Sequence, residues 1–201
     1  MKFLFDLGGV FFDWDPNYFF INIFKDQEER QYFLEKICND TWNLKQDAGR
    51  SIKEAELELI PKFPKYELQI KMYYDNHRKM IKRIFQESVE TLNYLKNNNY
   101  ECYVLSNWSA ETFNGSHQSM IEDYPFLKKF DGLLISGEEK LIKPDPNIYK
   151  LAIKKFELDP QKCVFIDDKL VNIEAAKKLT FNTIHLTDPK TIEADIKKYL
   201  N

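Results

Sequence analysis

Apolar residues recur along this chain in short blocks that end on a polar side chain, with longer stretches of helical spacing between them. The first block runs from Lys2 to Phe5 and ends at Asp6, before the Gly8-Gly9 turn. A second β-rich run, with Phe11, Phe12 and Trp14, is stopped by Asp15-Pro16. Further on, YECYVL (Tyr100 to Leu105) ends at Ser106, GLLIS spans Gly132 to Ser136, KCVFI (Lys162 to Ile166) ends at Asp167, and Asn182 to Leu186 forms a last block. The stretches Val89 to Asn97, Pro146 to Phe156, Asn172 to Leu179 and Thr191 to Leu200 read as helices, and a helical or looped segment extends from Ser106 to Tyr124. Continuous apolar strands alternating with helices of this length predict an α/β fold, a Rossmann-like parallel sheet with helices on both faces.

Residues 16–86 have a different texture. Phe20, Phe24 and Phe33 sit among charges, Ala55, Leu57, Leu59 and Ile60 form another apolar cluster, and Met72, Tyr73, Met80 and Ile81 a third. Gly49-Arg50-Ser51 reads as a helix stop followed by an N-cap, with Glu54 at the capping-box offset, and Pro61 and Pro64 break the region again. The expected division is a core of residues 1–15 and 87–201 interrupted by a compact helical insert of residues 16–86.

Composition narrows the class. A chain of 201 residues, 43% hydrophobic and 30% charged, suits one moderate core with an insertion. With a mean hydropathy of -0.53 it reads as soluble and globular. A net charge of -3 argues against a broad nucleic-acid footprint or an anionic-membrane patch. Arginine occurs only at 30, 50, 78 and 83, so an anion site would rely on lysine. Cys38, Cys102 and Cys163 are odd in number and widely spaced, which favours core packing in a reducing compartment over disulfides or zinc. The acid at position 6 interrupts any secretory apolar region, and no stretch is long enough to span a membrane. The expectation is a cytoplasmic protein.

Ligands of an open parallel sheet sit beyond the carboxyl ends of its strands. Those ends carry Asp6, Ser106-Asn107, Ser136 and Asp167-Asp168. Carboxylates brought together there require a hard cation such as Mg²⁺, and a metal-held Asp can attack phosphorus to form an aspartyl-phosphate. Taken singly, Asp167 or Asp168 would serve equally as a helix cap; Asp6, followed by Gly-Gly, would not. Ser106 and Asn107 offer a hydroxyl and an amide to a phosphate, although Ser-Asn is also ordinary turn chemistry. Lys143, in a loop before a helix, gains weight only from this context. His77, His117 and His185 show no partner spacing, and His185 reads as a packed strand residue. Trp14 and Trp42 read as packing, Trp108 as a substrate-side candidate, and Tyr18, Phe19 and Phe20 either as a seam between insert and core or as ordinary core packing.

The stretches FDLGGVFFD, VLSNW, KPDPNIY and VFIDD, in this order, resemble the four motifs of the haloacid dehalogenase (HAD) superfamily, and the resemblance runs over essentially the whole chain. The insert after the first motif resembles the helical C1-type cap. DLGGVFFDWD and FIDDKLVNIEAA look most like the small bacterial sugar-phosphate phosphatases of the α-D-glucose-1-phosphate phosphatase type. This resemblance implies Asp6 as nucleophile and Mg²⁺ ligand, with the Gly8 carbonyl and Asp168 completing the metal's protein ligands. It implies Ser106 and Asn107 as phosphate-binding, and Lys143 as the cation shared by nucleophile and phosphoryl group. Asp167 stands in place of the usual Gly, where it would orient waters or Lys143, and Asn172 would support the metal through water.

Departures from the pattern matter. Most phosphatases of the superfamily carry an acid/base Asp where this chain has Gly8. Haloalkanoate dehalogenases also lack that Asp, but they need no metal and lack the acidic pair kept here. A sugar 1-phosphate, whose anomeric hydroxyl is a comparatively acidic leaving group, loses least from the missing acid. Asp13 or Asp15 would supply the proton transfers if the strand folds back; otherwise they are turn acids before Pro16. Lys140 and Thr180 occupy places where relatives usually have Gly, which implies strain at positive φ. The resulting expectation is a Mg²⁺-dependent phosphomonoesterase acting on a small phosphorylated metabolite, a sugar 1-phosphate above others, through an Asp6 phosphoenzyme. The alternatives are a metal-independent 2-haloacid dehalogenase and a non-catalytic HAD-like protein that binds a phospholigand or a partner. The chain is expected as monomer or homodimer, with no nucleic acid or membrane partner.

Overall fold

A computed structural model of the chain describes residues 1–115 and 119–200, so His117 lies outside the described residues. Seven strands follow in chain order: β1 (Lys2–Phe5), β2 (Phe12–Trp14), β3 (Ile81–Ile84), β4 (Glu101–Ser106), β5 (Gly132–Ile135), β6 (Cys163–Asp167) and β7 (Asn182–His185). Five of them form one parallel sheet in the order β5-β4-β1-β6-β7. The α/β architecture read from the sequence is therefore the one observed.

The period of two along each strand builds both halves of the core. Phe3 pairs in register with Cys102 and Val164, and Phe5 with Val104 and Ile166. These side chains share one buried cluster with Leu92 and Leu95 of the helix Gln86–Asn97. Leu4, one residue out of phase, pairs with Tyr103 and Phe165 and joins the opposite cluster. There it packs with Ile148 and Tyr149 of the helix Pro146–Lys155 and Ile173 of the helix Leu170–Lys177. Apolar residues on both sides of a strand can be satisfied only by helices on both faces. The chain steps from β1 to β4 on one side and reaches β6 on the other, so strand order reverses at β1. A crevice opens at that switch point, beyond the carboxyl ends.

A third apolar cluster gathers residues 20–80, with Phe20, Phe33, Trp42, Ile70 and Tyr73 among its buried members and Trp14 of β2 packed against it. The capping box on Ser51 and Glu54 is present at the start of the helix Ile52–Leu59. One feature of the insert differs from the helical reading of residues 16–86. Ile81–Ile84 is a strand, pairing antiparallel with β2 so that Phe12 faces Ile84 and Asp13 faces Arg83. The sequence IKRI is too short to show a period of its own, and its strand form depends on the distant β2. Helix Gln86–Asn97 accordingly begins at once after this ribbon, earlier than Val89. His185, expected to be packed, is exposed, because it ends β7, the edge strand of the sheet. Lys140 and Thr180 do adopt positive φ, at 56° and 65°. Among the described residues no helix is long and apolar enough to cross a membrane, and Cys38, Cys102 and Cys163 are buried free thiols.

The two-sided burial of β1 makes its core residues the most sensitive to truncation. Leu4→Ala, at a site with no exposed surface, is expected to cost about 3 kcal/mol by urea unfolding. Lys71→Ala, which removes the exposed Glu67–Lys71 pair, is expected to cost under about 0.5 kcal/mol in the same measurement.

Candidate active site

The register that buries the core also brings the strand-end residues together. Asp6 follows β1, and its amide donates to the Ile166 carbonyl at 2.9 Å, which holds it level with Asp167. Asp6 Oδ1 accepts from the Ser106 hydroxyl and from the Leu7 amide, each at 2.7 Å. The Lys143 ammonium lies 3.0 Å from the same oxygen and 2.6 Å from Asp167 Oδ2. Lys143 is 2% exposed and Asp167 fully buried. Both Asp167 oxygens also accept from the Asn172 amide at 3.0 Å, and the Lys169 N–H donates to Oδ1 at 2.8 Å. Asn172 is thus occupied in fixing Asp167, and Tyr149 steadies it by donating to its carbonyl at 3.0 Å. Asn107 fixes the lysine's loop from the other side through a reciprocal pair with the Lys143 backbone, 2.9 Å each way.

Asp168 has a different environment. Its Oδ1 is buried without a hydrogen-bond partner, while its carbonyl lies 2.9 Å from His185 Nε2. Asp6, Asp167 and Asp168 place carboxylate oxygens within 4.8 Å of one another, and no other such group occurs among the described residues. Gly9 permits this packing. It adopts φ +67°, and a Cβ there would lie 2.4 Å from Asp168 Cγ, so any other residue would displace that carboxylate.

Three carboxylates against one buried ammonium leave two negative charges in a space shielded from water. Burial, and after it the neighbouring Asp167 and Asp168, push the Asp6 carboxyl up to about 6 against the pull of Lys143. Burial and Asp167 likewise raise Asp168. Burial alone would lower the Lys143 ammonium, but Asp167 and Asp6 outweigh it and raise its pKa. An excess of two charges, an orphaned carboxylate oxygen and an all-oxygen donor set fit a divalent hard cation such as Mg²⁺.

Asp6, Gly8, Asn107 and Asp168 of the core line a cavity of about 350 Å³, whereas the buried Lys143 and Asp167 do not. Asp40, Asn43, Leu44, Asp47 and His77 of residues 16–86 line it as well, as do Trp14 of β2 and Trp108 of the core. Trp108, a substrate-side candidate, lines the cavity while packed in the core cluster, and Trp14, expected as packing alone, lines it too. Burial drives the His77 imidazole down to about 3, so it is neutral. Asp13 and Asp15 are not brought to this cavity. Asp13 accepts from the Tyr18 hydroxyl at 2.7 Å and from Arg83 at 3.1 Å, and Asp15 accepts from the Asn17 amide at 2.7 Å. Asp47 was not singled out by its sequence context, since nothing local distinguishes it from other acids of a polar helix. A larger, open cleft of about 910 Å³, bordered by Ile52, Arg78, Glu111 and Asp123, holds none of the strand-end residues.

Comparison with known proteins adds chemistry to this geometry. A family model described as haloacid dehalogenase-like hydrolase matches residues 3–180. The chain is 26% identical to the sesquiterpene phosphatase astK of Aspergillus oryzae over 92% of its own length and 89% of that protein. It is 28% identical to (S)-2-haloacid dehalogenase 4A of Burkholderia cepacia over 51% of this chain and 42% of that protein. A 33% identical match covers 46% of this chain and only 9% of mouse acyl-CoA dehydrogenase family member 10. Among solved structures, a Porphyromonas gingivalis protein described as a predicted HAD-like family hydrolase superposes with a TM-score of 0.76 at 22% identity, over 100% of this chain and 98% of that one. A HAD family enzyme of Bacteroides thetaiotaomicron, in complex with magnesium and inorganic phosphate, gives 0.63 at 25% identity, over 91% and 92%.

Because Lys143 is, among the described residues, the sole buried cation against the carboxylates, Lys143→Met should destabilise the metal-free protein by about 3 kcal/mol at neutral pH, read by urea unfolding in a chelator. A loss below about 0.5 kcal/mol would show that the ammonium carries none of this balance.

Proposed function

The chain belongs to the haloacid dehalogenase-like hydrolases, and we propose that within them it is a Mg²⁺-dependent phosphomonoesterase acting on a small phosphorylated metabolite. The observation that carries this reading is the buried trio Asp6, Asp167 and Asp168 held against the single Lys143 ammonium. A carbon-attacking dehalogenase has no use for two excess negative charges beside its nucleophile, whereas phosphoryl transfer uses them to hold a cation that meets the anionic substrate. The phosphatase activity named for the full-length fungal relative, and the magnesium and phosphate bound by the Bacteroides enzyme, support the same chemistry.

Asp6, Asp168 and the Gly8 carbonyl would hold the ion, which supplies electrostatic stabilisation of the phosphoryl oxygens. Asp6 attacks phosphorus; a P–O bond to its carboxylate forms as the bond to the leaving oxygen breaks. The Ser106 hydroxyl, released from Asp6, and the Asn107 amide region would receive the phosphoryl oxygens, and Lys143 would follow the developing charge. Asp167 keeps Lys143 aimed at Asp6 rather than contacting substrate. The cavity of about 350 Å³ suits a small metabolite, and the helical insert would act as the cap that closes over it. With glycine at position 8, a sugar 1-phosphate, whose departing anomeric oxygen needs least protonation, is the favoured substrate. The three buried free thiols suit action in a reducing cytoplasm.

A phosphate-release screen over sugar phosphates and 2-haloacids tests the reading. Phosphate release with Mg²⁺, none with chelator, and none from Asp6→Asn are expected; chloride release without metal would instead favour the dehalogenase. Saturating Mg²⁺ should also raise the melting temperature of the wild-type protein by about 5 °C, and Asp168→Asn should abolish that shift.

A further inference from the structure

We propose that Asp47, carried by the helical insert, is the proton donor and acceptor that the site lacks at Gly8. This rests on the phosphomonoesterase reading above and deepens it. A Cβ on Gly8 would meet no atom within 4 Å, so open space lies beside the position from which relatives would project an acid. Asp47 lines the same cavity, together with Asp6 and Gly8. It is the last residue of the helix Asp40–Asp47 and is 8% exposed. Among the described residues no cation lies within salt-bridge distance of its carboxylate, and Asn43 Nδ2 donates to Oδ2 at 3.3 Å.

The core fixes its place. The Ser136 hydroxyl donates to the Asp47 carbonyl at 2.6 Å and accepts from the Trp108 amide at 2.9 Å, which links the acid to the segment just after Ser106-Asn107. Two residues on, Gly49 packs so closely that a Cβ there would lie 2.7 Å from Lys140 Cγ and 3.0 Å from the Gly137 carbonyl. The helix end is therefore seated on the core with no slack. Asp13 and Asp15 are satisfied elsewhere, and Asp40, at the other end of the helix, is exposed.

The charges that face Asp47 are Lys169 after β6, Asp6 after β1 and Asp40 on its own helix, with Asp168 also in the cavity and His77 neutral. Burial dominates and, with Lys169 opposing and Asp6 assisting, moves its carboxyl up to about 7. A group poised there can donate in one step and accept in the next. In the first step the Asp47 proton goes to the leaving oxygen as Asp6 displaces it from phosphorus. In the second, the Asp47 carboxylate takes a proton from the water whose oxygen attacks phosphorus. The Asp6–phosphorus bond then breaks, inorganic phosphate departs and both carboxyl groups are restored.

The test compares wild type, Asp47→Asn, Asp47→Glu and Asp6→Asn on a sugar 1-phosphate, an alkyl phosphate and p-nitrophenyl phosphate with Mg²⁺, measuring single-turnover rates and acid-stable labelled phosphoenzyme. Asp47→Asn should lower turnover of the alkyl ester by about 10²–10³-fold. Its phosphorylation by p-nitrophenyl phosphate, whose leaving group needs no proton, should change little. Phosphoenzyme should accumulate because water is no longer activated, and Asp47→Glu should restore part of the loss. The wild-type phosphorylation rate on the alkyl ester should fall with rising pH, since the protonated acid is then lost, and this fall should vanish in Asp47→Asn. Turnover within two-fold of wild type on all three esters, or a loss equal on all three with no accumulated phosphoenzyme, overturns the role of Asp47 alone. A wild-type protein that forms no phosphoenzyme overturns the phosphatase reading and this role with it.

Discussion

The Lys143 ammonium lies 2.6 Å from Asp167 and 3.0 Å from Asp6 in a pocket almost closed to water. A lysine buried to this extent keeps its charge only when carboxylates repay the lost hydration. Those carboxylates stay close together only because parallel pairing holds β1 level with β6. Asn172 and the Lys169 amide saturate Asp167, Tyr149 braces Asn172, and Asn107 clamps the loop that presents the lysine. Asn172 and Lys169 share one helix start, and the other partners come from separate strand ends or helices. The sheet is thus a rigid frame for one electrostatic arrangement, left two negative charges in excess.

Much of that frame was legible in the chain. The apolar blocks at Lys2, Tyr100, Gly132, Lys162 and Asn182 are short, dense and ended by polar residues, so their strand character did not depend on distant partners. Asp6, Ser106 and Asp167 could be placed at strand ends for the same reason. Lys143 could not, because no local pattern separates it from the other lysines; its weight came from motif order and its geometry only from the folded chain. The strand at Ile81–Ile84 was missed because four residues carry too little periodicity and its partner lies near residue 13. Asp47 was missed for a related reason. Its burial is created by contact with Ser136 and Gly49's neighbours across the insert–core seam, which no window of sequence contains.

The division of labour between the two regions follows from their cores. The sheet clusters and the insert cluster share no buried member, and the β2–β3 ribbon leads into and out of the insert. Groups that must be held in fixed register sit on the sheet. Asp40, Asn43, Asp47 and the neutral His77 line the same cavity from residues outside the sheet. Glycine at position 8 is compatible with such a partition, since it leaves room for a side chain arriving from another part of the cavity.

The sequence distances within the site have a kinetic consequence. Ser106 meets Asp6 across 100 residues of chain, and Lys143 joins from a third region still further along. No hairpin or single helix contains two of these partners, so no early, locally folded fragment carries the acidic pocket. Long-range parallel pairing is the slow part of folding. The acidic pocket is therefore assembled only at the final stage of folding, and a nascent or partly unfolded chain carries its carboxylates apart.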